Sequence, residues 1–224
     1  MAAGARMQIE FISSRQLQQQ RWQCEGVLVV LPFTRAADAR RAAQLMAGRA
    51  ETPGLILCIF DEGLPPSPPG QAAGFVALAN MAFRQSESPW FCYAAQDAFA
   101  GRRWLALAVS ALERRNGALL AFNDGKWQGQ LAAFGLVRRH WAEQLYNGDL
   151  FFPGYRSHYA DVELTVLALQ QQGLVYEPNS LLVEVDWQKD SSSVNAGDRA
   201  LYRARAKTGF DGRISDPGLL SRFK

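Results

Sequence analysis

Apolar positions along this chain fall into short dense runs, separated by polar stretches rich in glycine and proline. Residues 27–33 (VLVVLPF) are apolar without interruption and follow Gly26. A continuous run of that length, closed by a proline, predicts a strand buried on both faces. Residues 36–50, rich in Ala and Arg, predict a helix, and residues 54–63 (GLILCIFDEG) a second buried strand ending in an acidic turn. Strand, helix and strand in this order predict two parallel, adjacent strands. The alternation continues with an irregular Pro-rich loop at 64–70, a helix at 71–84, a strand at 90–95, a helix at 101–115 and a strand at 118–122. In the 101–115 helix Trp104, Ala108 and Leu112 share one face. Asn123-Asp124-Gly125 is a tight-turn signal, and residues 127–137 return as one or two strands. An aromatic, polar loop at 155–159 leads into a helix at 160–172 closed by Gly173. A late strand is expected at 181–187 and a short early one at 7–12.

Strands alternating with helices in the first half, and mixing with a hairpin in the second, predict an α/β three-layer sandwich around a mostly parallel mixed sheet. In such sheets ligands bind beyond the carboxyl ends of the strands. Asp61 and Asp97 both lie at such ends. Residues 1–25 read as an N-terminal extension, 26–187 as the main domain and 188–224 as a tail.

Composition narrows the function classes. The 224 residues hold 24 Lys and Arg against 21 Asp and Glu, a net charge of +3. That balance argues against a nucleic-acid binder, which carries a basic stripe. Arginine supplies 20 of the cations; its planar fork suits phosphate, although a GC-rich coding sequence gives the same bias. Cys24, Cys58 and Cys92 are widely spaced and odd in number, which predicts a reducing compartment without disulfides. The N-terminus lacks the apolar core of a signal peptide, and no apolar run reaches the ~20 residues that span a bilayer. A cytoplasmic protein is expected. The chain has no Walker loop, GxSxG or HExxH motif. With only His140 and His158, a zinc site lacks ligands; His140, among Arg138, Arg139 and Trp141, reads as structural.

The order of features resembles the family-two glycosyltransferases of the GT-A fold. The resemblance rests on Pro32-Phe33-Thr34-Arg35 after the first buried strand, Asp61 after the second, and Ala77-Leu-Ala-Asn-Met-Ala82. It continues in Tyr93-Ala-Ala-Gln-Asp-Ala-Phe-Ala-Gly-Arg-Arg-Trp-Leu105 and Tyr159-Ala-Asp-Val-Glu-Leu164. It spans residues 27–187, most of the chain, so 26–187 becomes a GT-A-like nucleotide-sugar-binding and catalytic domain. Three departures stand out. Ala95 occupies the place of the first carboxylate of the family's DxD, leaving Gln96-Asp97. The first turn lacks the family's Asn. The family's late histidine is replaced within Val183-Glu-Val-Asp-Trp187.

The resemblance implies roles. Pro32, Thr34, Arg35, Asp61, Asn80 and Gln96 would line the nucleotide pocket, Asp61 bonding the base or ribose. Asp97 would anchor a divalent Mg2+ or Mn2+ on the diphosphate, with Asp186 as a second oxygen ligand. Asp161 matches the general base, which takes the acceptor proton in an inverting transfer. Glu163 lies two residues on and would face away. Trp127, Tyr155, Arg156 and His158 would form the acceptor wall. Each has a plainer reading: Asp97 as N-cap of a helix at 98–104, Asp61 as a turn residue, Arg35 as a surface cation and Asn80 as a helix residue bonded to a loop. Asp161 can complement a helix dipole, Asp186 can be a strand-end carboxylate, Trp127 a core residue, and 155–159 a packed surface loop. The tail arginines read either as a lid over the diphosphate or as part of a solvated amphipathic helix at 195–206.

The expected activity is transfer of a sugar from a nucleotide-diphosphate donor to a glycan or glycolipid acceptor, with peripheral membrane contact open and no nucleic-acid partner. The rival from another class is a noncatalytic GT-A-like nucleotide-sugar-binding module, favoured by the reduced DxD. A nucleotidyltransferase ranks lower, because 32–35 has no Gly-rich phosphate cradle.

Overall fold

The computed structural model describes residues 7–62, 74–185 and 195–223. The expected loop at 64–70 and the candidate ligand Asp186 lie outside them. The first half runs β1 (Met7–Ser13), α1 (Ser14–Gln19), β2 (Trp22–Gln23), β3 (Val27–Phe33), α2 (Ala36–Arg49), β4 (Gly54–Phe60), α3 (Phe75–Arg84), β5 (Ser86–Glu87), β6 (Trp90–Tyr93), β7 (Ala98–Ala100) and α4 (Trp104–Arg114). The second half runs β8 (Leu119–Asn123), β9 (Gly135–Arg138), α5 (Arg139–Ala142), α6 (Ala160–Gln170), β10 (Leu174–Glu184), α7 (Ala196–Lys207), α8 (Gly209–Gly212) and α9 (Pro217–Ser221).

One sheet has the order β1-β4-β3-β6-β9-β8-β10-β7. The pairs β1–β4, β4–β3 and β3–β6 are parallel, β9 runs antiparallel between β6 and β8, and β10 is parallel to β8. Alternate residues of each central strand feed opposite cores. Leu28 and Val30 of β3 join the core under α3 and α6, whereas Val27, Val29 and Leu31 join the core under α2 and α4. Helices therefore cover both faces, and the sheet is mostly parallel and mixed, as the pattern of runs predicts. Among the described residues no helix is long and apolar enough to cross a membrane.

Several elements depart from the sequence expectation. Residues 7–23 of the first segment are integral: β1 pairs with β4 along its whole length, and Leu17 of α1 is fully buried. Residues 98–100 are a strand, paired antiparallel to β10, and α4 begins only at Trp104 behind Arg103 at φ +58°. Asp97 therefore precedes a strand and caps no helix. Between 127 and 137 the only strand is β9; the preceding residues turn. The late strand begins at Leu174, seven residues before the expected start, and its register shifts between Tyr176 and Leu181. The stretch Glu177-Pro178-Asn179 hides it in the sequence, and the irregularity accommodates the proline.

Candidate active site

Two loops at the carboxyl ends of β3 and β6 are latched together by Gln96. Its Oε1 accepts from the backbone N–H of Thr34 and of Arg35, both at 2.9 Å, and its Nε2 donates to Thr34 Oγ1 at 3.2 Å. The strand ends at Phe33, and Thr34-Arg35 turns into α2 with Arg35 at its N-cap, so Gln96 meets the amide donors of these two turn residues. The latch fixes the mouth of a hollow of about 320 Å³, lined by Pro32, Thr34, Asp61, Phe75, Gln96, Asp97 and Arg156 among others.

A second hollow of about 430 Å³ adjoins it and shares Phe75, Ala95 and Ser157. Its walls include Tyr93, Trp127, Phe134, Phe151, His158, Asp161 and Glu184. Aromatic faces and carboxylates together suit a polyhydroxylated ring, which offers C–H faces and hydroxyl donors. Asp124 shapes one wall: its Oδ1 accepts from the N–H groups of Lys126 and Trp127 at 2.9 and 2.7 Å, and Lys126 Nζ lies 5.4 Å from the Trp127 ring centre.

Asp161 and Glu163, two residues apart on α6, face different surroundings. Asp161 lines the second hollow. Burial pushes its carboxyl up to about 6, against the lowering effect of hydrogen bonds from the backbone N–H groups of Val162 and Asp161 itself. Glu163 is 1% exposed, paired with Arg205 (Arg205 Nη2 to Oε1, 2.7 Å; Nε to Oε2, 2.8 Å), and accepts from the hydroxyls of Tyr146 and Tyr155 at 2.5 and 2.7 Å. Its acceptor capacity is spent on structure, so Asp161 is the carboxylate of this pair that reaches the hollow. The same network pushes the Tyr146 and Tyr155 hydroxyls well above their ordinary range, burial first and the Glu163 charge second.

Three side chains expected at ligands are engaged elsewhere. Asn80 is buried and clamps the backbone of Phe151, donating to its carbonyl and accepting from its N–H, both at 2.9 Å. It shapes the second hollow through Phe151 and lines neither. Tyr155 points down into the Glu163 network and lines neither hollow; Trp127 and His158 line the second, and Arg156 lines the first. The Arg35 side chain pairs with Asp38 at 2.8 Å and lines a separate hollow beside α2. Among the tail arginines, Arg199 donates to the Tyr159 hydroxyl at 3.1 Å, Arg205 binds Glu163 and Asp211, and Arg213 lies over the Tyr146 ring. Helix α7, which carries Arg199 and Arg205, is packed, with Tyr202 fully buried. Glu184 and Ser157 are site residues that sequence reasoning missed. Glu184 stands inside the strand expected at 181–187 with no pattern that marks it as a lining residue, and nothing in the sequence flags Ser157.

Among the described residues no three His, Cys, Asp or Glu side chains converge into a cage for a metal ion. Asp97, the expected ion ligand, lies on the wall of both the first hollow and the hollow beside α2. A hard oxygen donor at such a place fits a magnesium or manganese ion that completes its shell with phosphate oxygens and water.

No family model and no curated protein matches the sequence. Solved structures do match the fold. A mannosyltransferase from Pyrobaculum calidifontis in complex with GDP-Man and Mn2+ is 15% identical with a TM-score of 0.55, over 93% of this chain and 72% of that one. S. aureus TarS 1-349 in complex with UDP-GlcNAc is 10% identical with a TM-score of 0.61, over 88% and 71%. The glucosyl-3-phosphoglycerate synthase from Mycobacterium tuberculosis, in complex with Mg2+ and UDP, is 11% identical with a TM-score of 0.57, over 87% and 82%. The fold is therefore that of GT-A-like glycosyltransferases, as the sequence resemblance implies.

Proposed function

We propose that this chain is a glycosyltransferase that moves a sugar from a nucleotide-diphosphate donor to a hydroxyl of a glycan or glycolipid acceptor, with inversion. The observation that carries the reading is Asp161, a carboxylate tuned toward neutral pH on the wall of a hollow that adjoins the Asp61–Gln96–Asp97 hollow. The nucleotide lies in the second of these, with Asp61 accepting from base or ribose. Asp97 would hold a divalent ion, which when bound neutralises the diphosphate leaving group. The acceptor hydroxyl lies against Trp127 and His158. Its oxygen attacks the anomeric carbon, the bond from that carbon to the diphosphate oxygen breaks with its electron pair, and the hydroxyl proton passes to Asp161. Structural neighbours solved with GDP-Man, UDP-GlcNAc and UDP support a nucleotide-sugar donor.

The reduced acidic motif, with Ala95 before Gln96-Asp97, favours a second reading in which the same cleft binds nucleotide sugars without turnover. Thermal melting against nucleoside diphosphates and nucleotide sugars, with and without Mn2+, tests both. A ligand at ~100 times its Kd stabilises by about 2.7 kcal/mol, an easily measured shift. The expected result is a Mn2+-dependent shift that Asp97→Asn removes, followed by sugar transfer that Asp161→Asn stops without weakening donor binding. Binding with no transfer to any acceptor selects the second reading; no shift with any nucleotide overturns both.

A further inference from the structure

The loop that joins the two hollows is held from behind by the C-terminal helix α7. Its residue Asp198 is 3% exposed, and its carboxylate accepts three consecutive backbone N–H groups: Arg156 to Oδ1 at 2.8 Å, Ser157 and His158 to Oδ2 at 2.9 Å each. These residues are the ones the hollows share or divide between them: Arg156 and Ser157 on the nucleotide side, Ser157 and His158 on the Asp161 side. On its other edge the loop meets α3. The Arg156 carbonyl accepts from Val76 N–H at 3.1 Å, and Gly74, at φ +84°, comes so close that a Cβ there would lie 2.6 Å from that oxygen.

The loop then passes through Tyr159, a non-glycine residue at φ +66° that stands at the N-cap of α6, two residues before Asp161. A bulky residue in the left-handed region is strained and persists only where its surroundings over-determine it. Helix α7 supplies those surroundings. Tyr202 lies against the Tyr159 ring, with centroids 5.1 Å apart, and Arg199 Nε donates to the Tyr159 hydroxyl.

We infer that Asp198 is a positioning residue: its carboxylate fixes the backbone of residues 156–158, and so completes both hollows and sets the approach of Asp161 to the acceptor. The inference rests on the proposed transferase reading. A charged acceptor suits this task, because one buried carboxylate satisfies three amides that would otherwise be left unbonded, and charge-assisted bonds are roughly twice as strong as neutral ones.

The test compares the wild-type chain with Asp198→Asn and Asp216→Ala. The asparagine is isosteric, but its NH2 group cannot accept from amide donors. Asp216 caps α9, accepting from Gly218 N–H at 2.7 Å, and lines neither hollow. Losing that cap lowers Tm by about 2–4 °C and controls for destabilisation alone. Steady-state transfer, nucleotide-diphosphate affinity with Mn2+ and amide hydrogen exchange are measured on all three. The expected result for Asp198→Asn is faster exchange at 156–158, a raised KM for donor and acceptor together, and a kcat lowered on the order of 100-fold, the effect of a small misplacement of a reacting group. Asp216→Ala keeps wild-type kcat and KM. An Asp198→Asn protein with a lower Tm but unchanged kcat, KM and nucleotide affinity overturns the positioning role while leaving the transferase reading intact. Should Asp198→Asn fail to fold, Asp198→Glu takes its place; it keeps the charge, displaces the loop by one methylene, and is judged by the same kinetic split. A wild type that neither binds nucleotide nor transfers sugar overturns the transferase reading, and the inference with it.

Discussion

Asp161 and Glu163 show how differently two carboxylates on one helix can be partnered. Glu163 is ringed by Arg205, Tyr146 and Tyr155, so its charge is met on every side. Asp161 is desolvated with only backbone amides to help it, and its carboxyl rises to about 6. An unfolded Asp titrates near ~3.9, so between about pH 4 and 6 the folded state holds the extra proton. Stability contributed by that proton is present at low pH and is lost as pH rises through this window. Asp161→Asn removes the charge and escapes the loss. It is expected to melt above the wild type at pH 7–8, with the gap closing below pH 4, as read from Tm against pH. In the same protein transfer falls by 100-fold or more, the ordinary scale of a lost general base. Wild-type kcat/KM rises with pH and levels off above an inflection near 6. A wild type that melts no lower than Asp161→Asn at pH 8 would refute the desolvated-base assignment.

At the level of elements, the site is made where strand ends meet. The β3–α2 turn and the end of β6 sit side by side because β3 and β6 pair in register from Val27–Trp90 to Val30–Tyr93. Gln96 closes that junction with one oxygen shared by two amides. Gln96→Ala leaves the Thr34 and Arg35 amides to water. The expected cost is about 1 kcal/mol of stability and about a tenfold loss of nucleotide affinity, equivalent to ~1.4 kcal/mol. Calorimetric titration with the preferred nucleotide measures the second; wild-type affinity would show that the turn holds its shape unaided. The same comparison explains what could be seen in advance. Strands β3, β4, β6 and β8 are legible because they are buried on both faces and leave uninterrupted apolar runs. Strands β7 and β10 are not. Ala98–Ala100 is three residues long and is a strand only because β10 lies alongside it, and β10 itself carries a polar, proline-bearing irregularity that interrupts the pattern.

For the molecule as a whole, the C-terminal helices complete the core on the α6 side. Tyr202 and Phe210 are fully buried there, and Arg205 answers the charge of Glu163. A chain ending at residue 194 would expose the pocket that held these groups. Each aromatic contributes about 1.5–3 kcal/mol by burial. Leaving a buried charge without its partner costs about 3–5 kcal/mol. Against a typical stability of ~5–15 kcal/mol, the truncated chain is expected to lose its cooperative urea transition and to bind a hydrophobic dye. A sharp transition near that of the full chain would show that α7 is dispensable to the fold.

The amino-acid sequence by itself determined the parallel strand–helix alternation, the three layers and the likeness to GT-A enzymes. Those features follow from local periodicity and from motifs that sit at strand ends, where Pro32, Thr34, Asp61, Gln96 and Asp97 all lie. Tertiary structure alone decided which polar residues face the two hollows. Asn80 and Tyr155 look like site residues in the chain, yet their polar atoms are consumed by Phe151 and Glu163. Glu184 and Asp198 look ordinary, yet one lines the hollow and the other holds its wall. The reason is physical: a buried polar group must find a partner, and that partner is set by packing between elements distant in sequence, as with Asp198 and the loop some 40 residues before it.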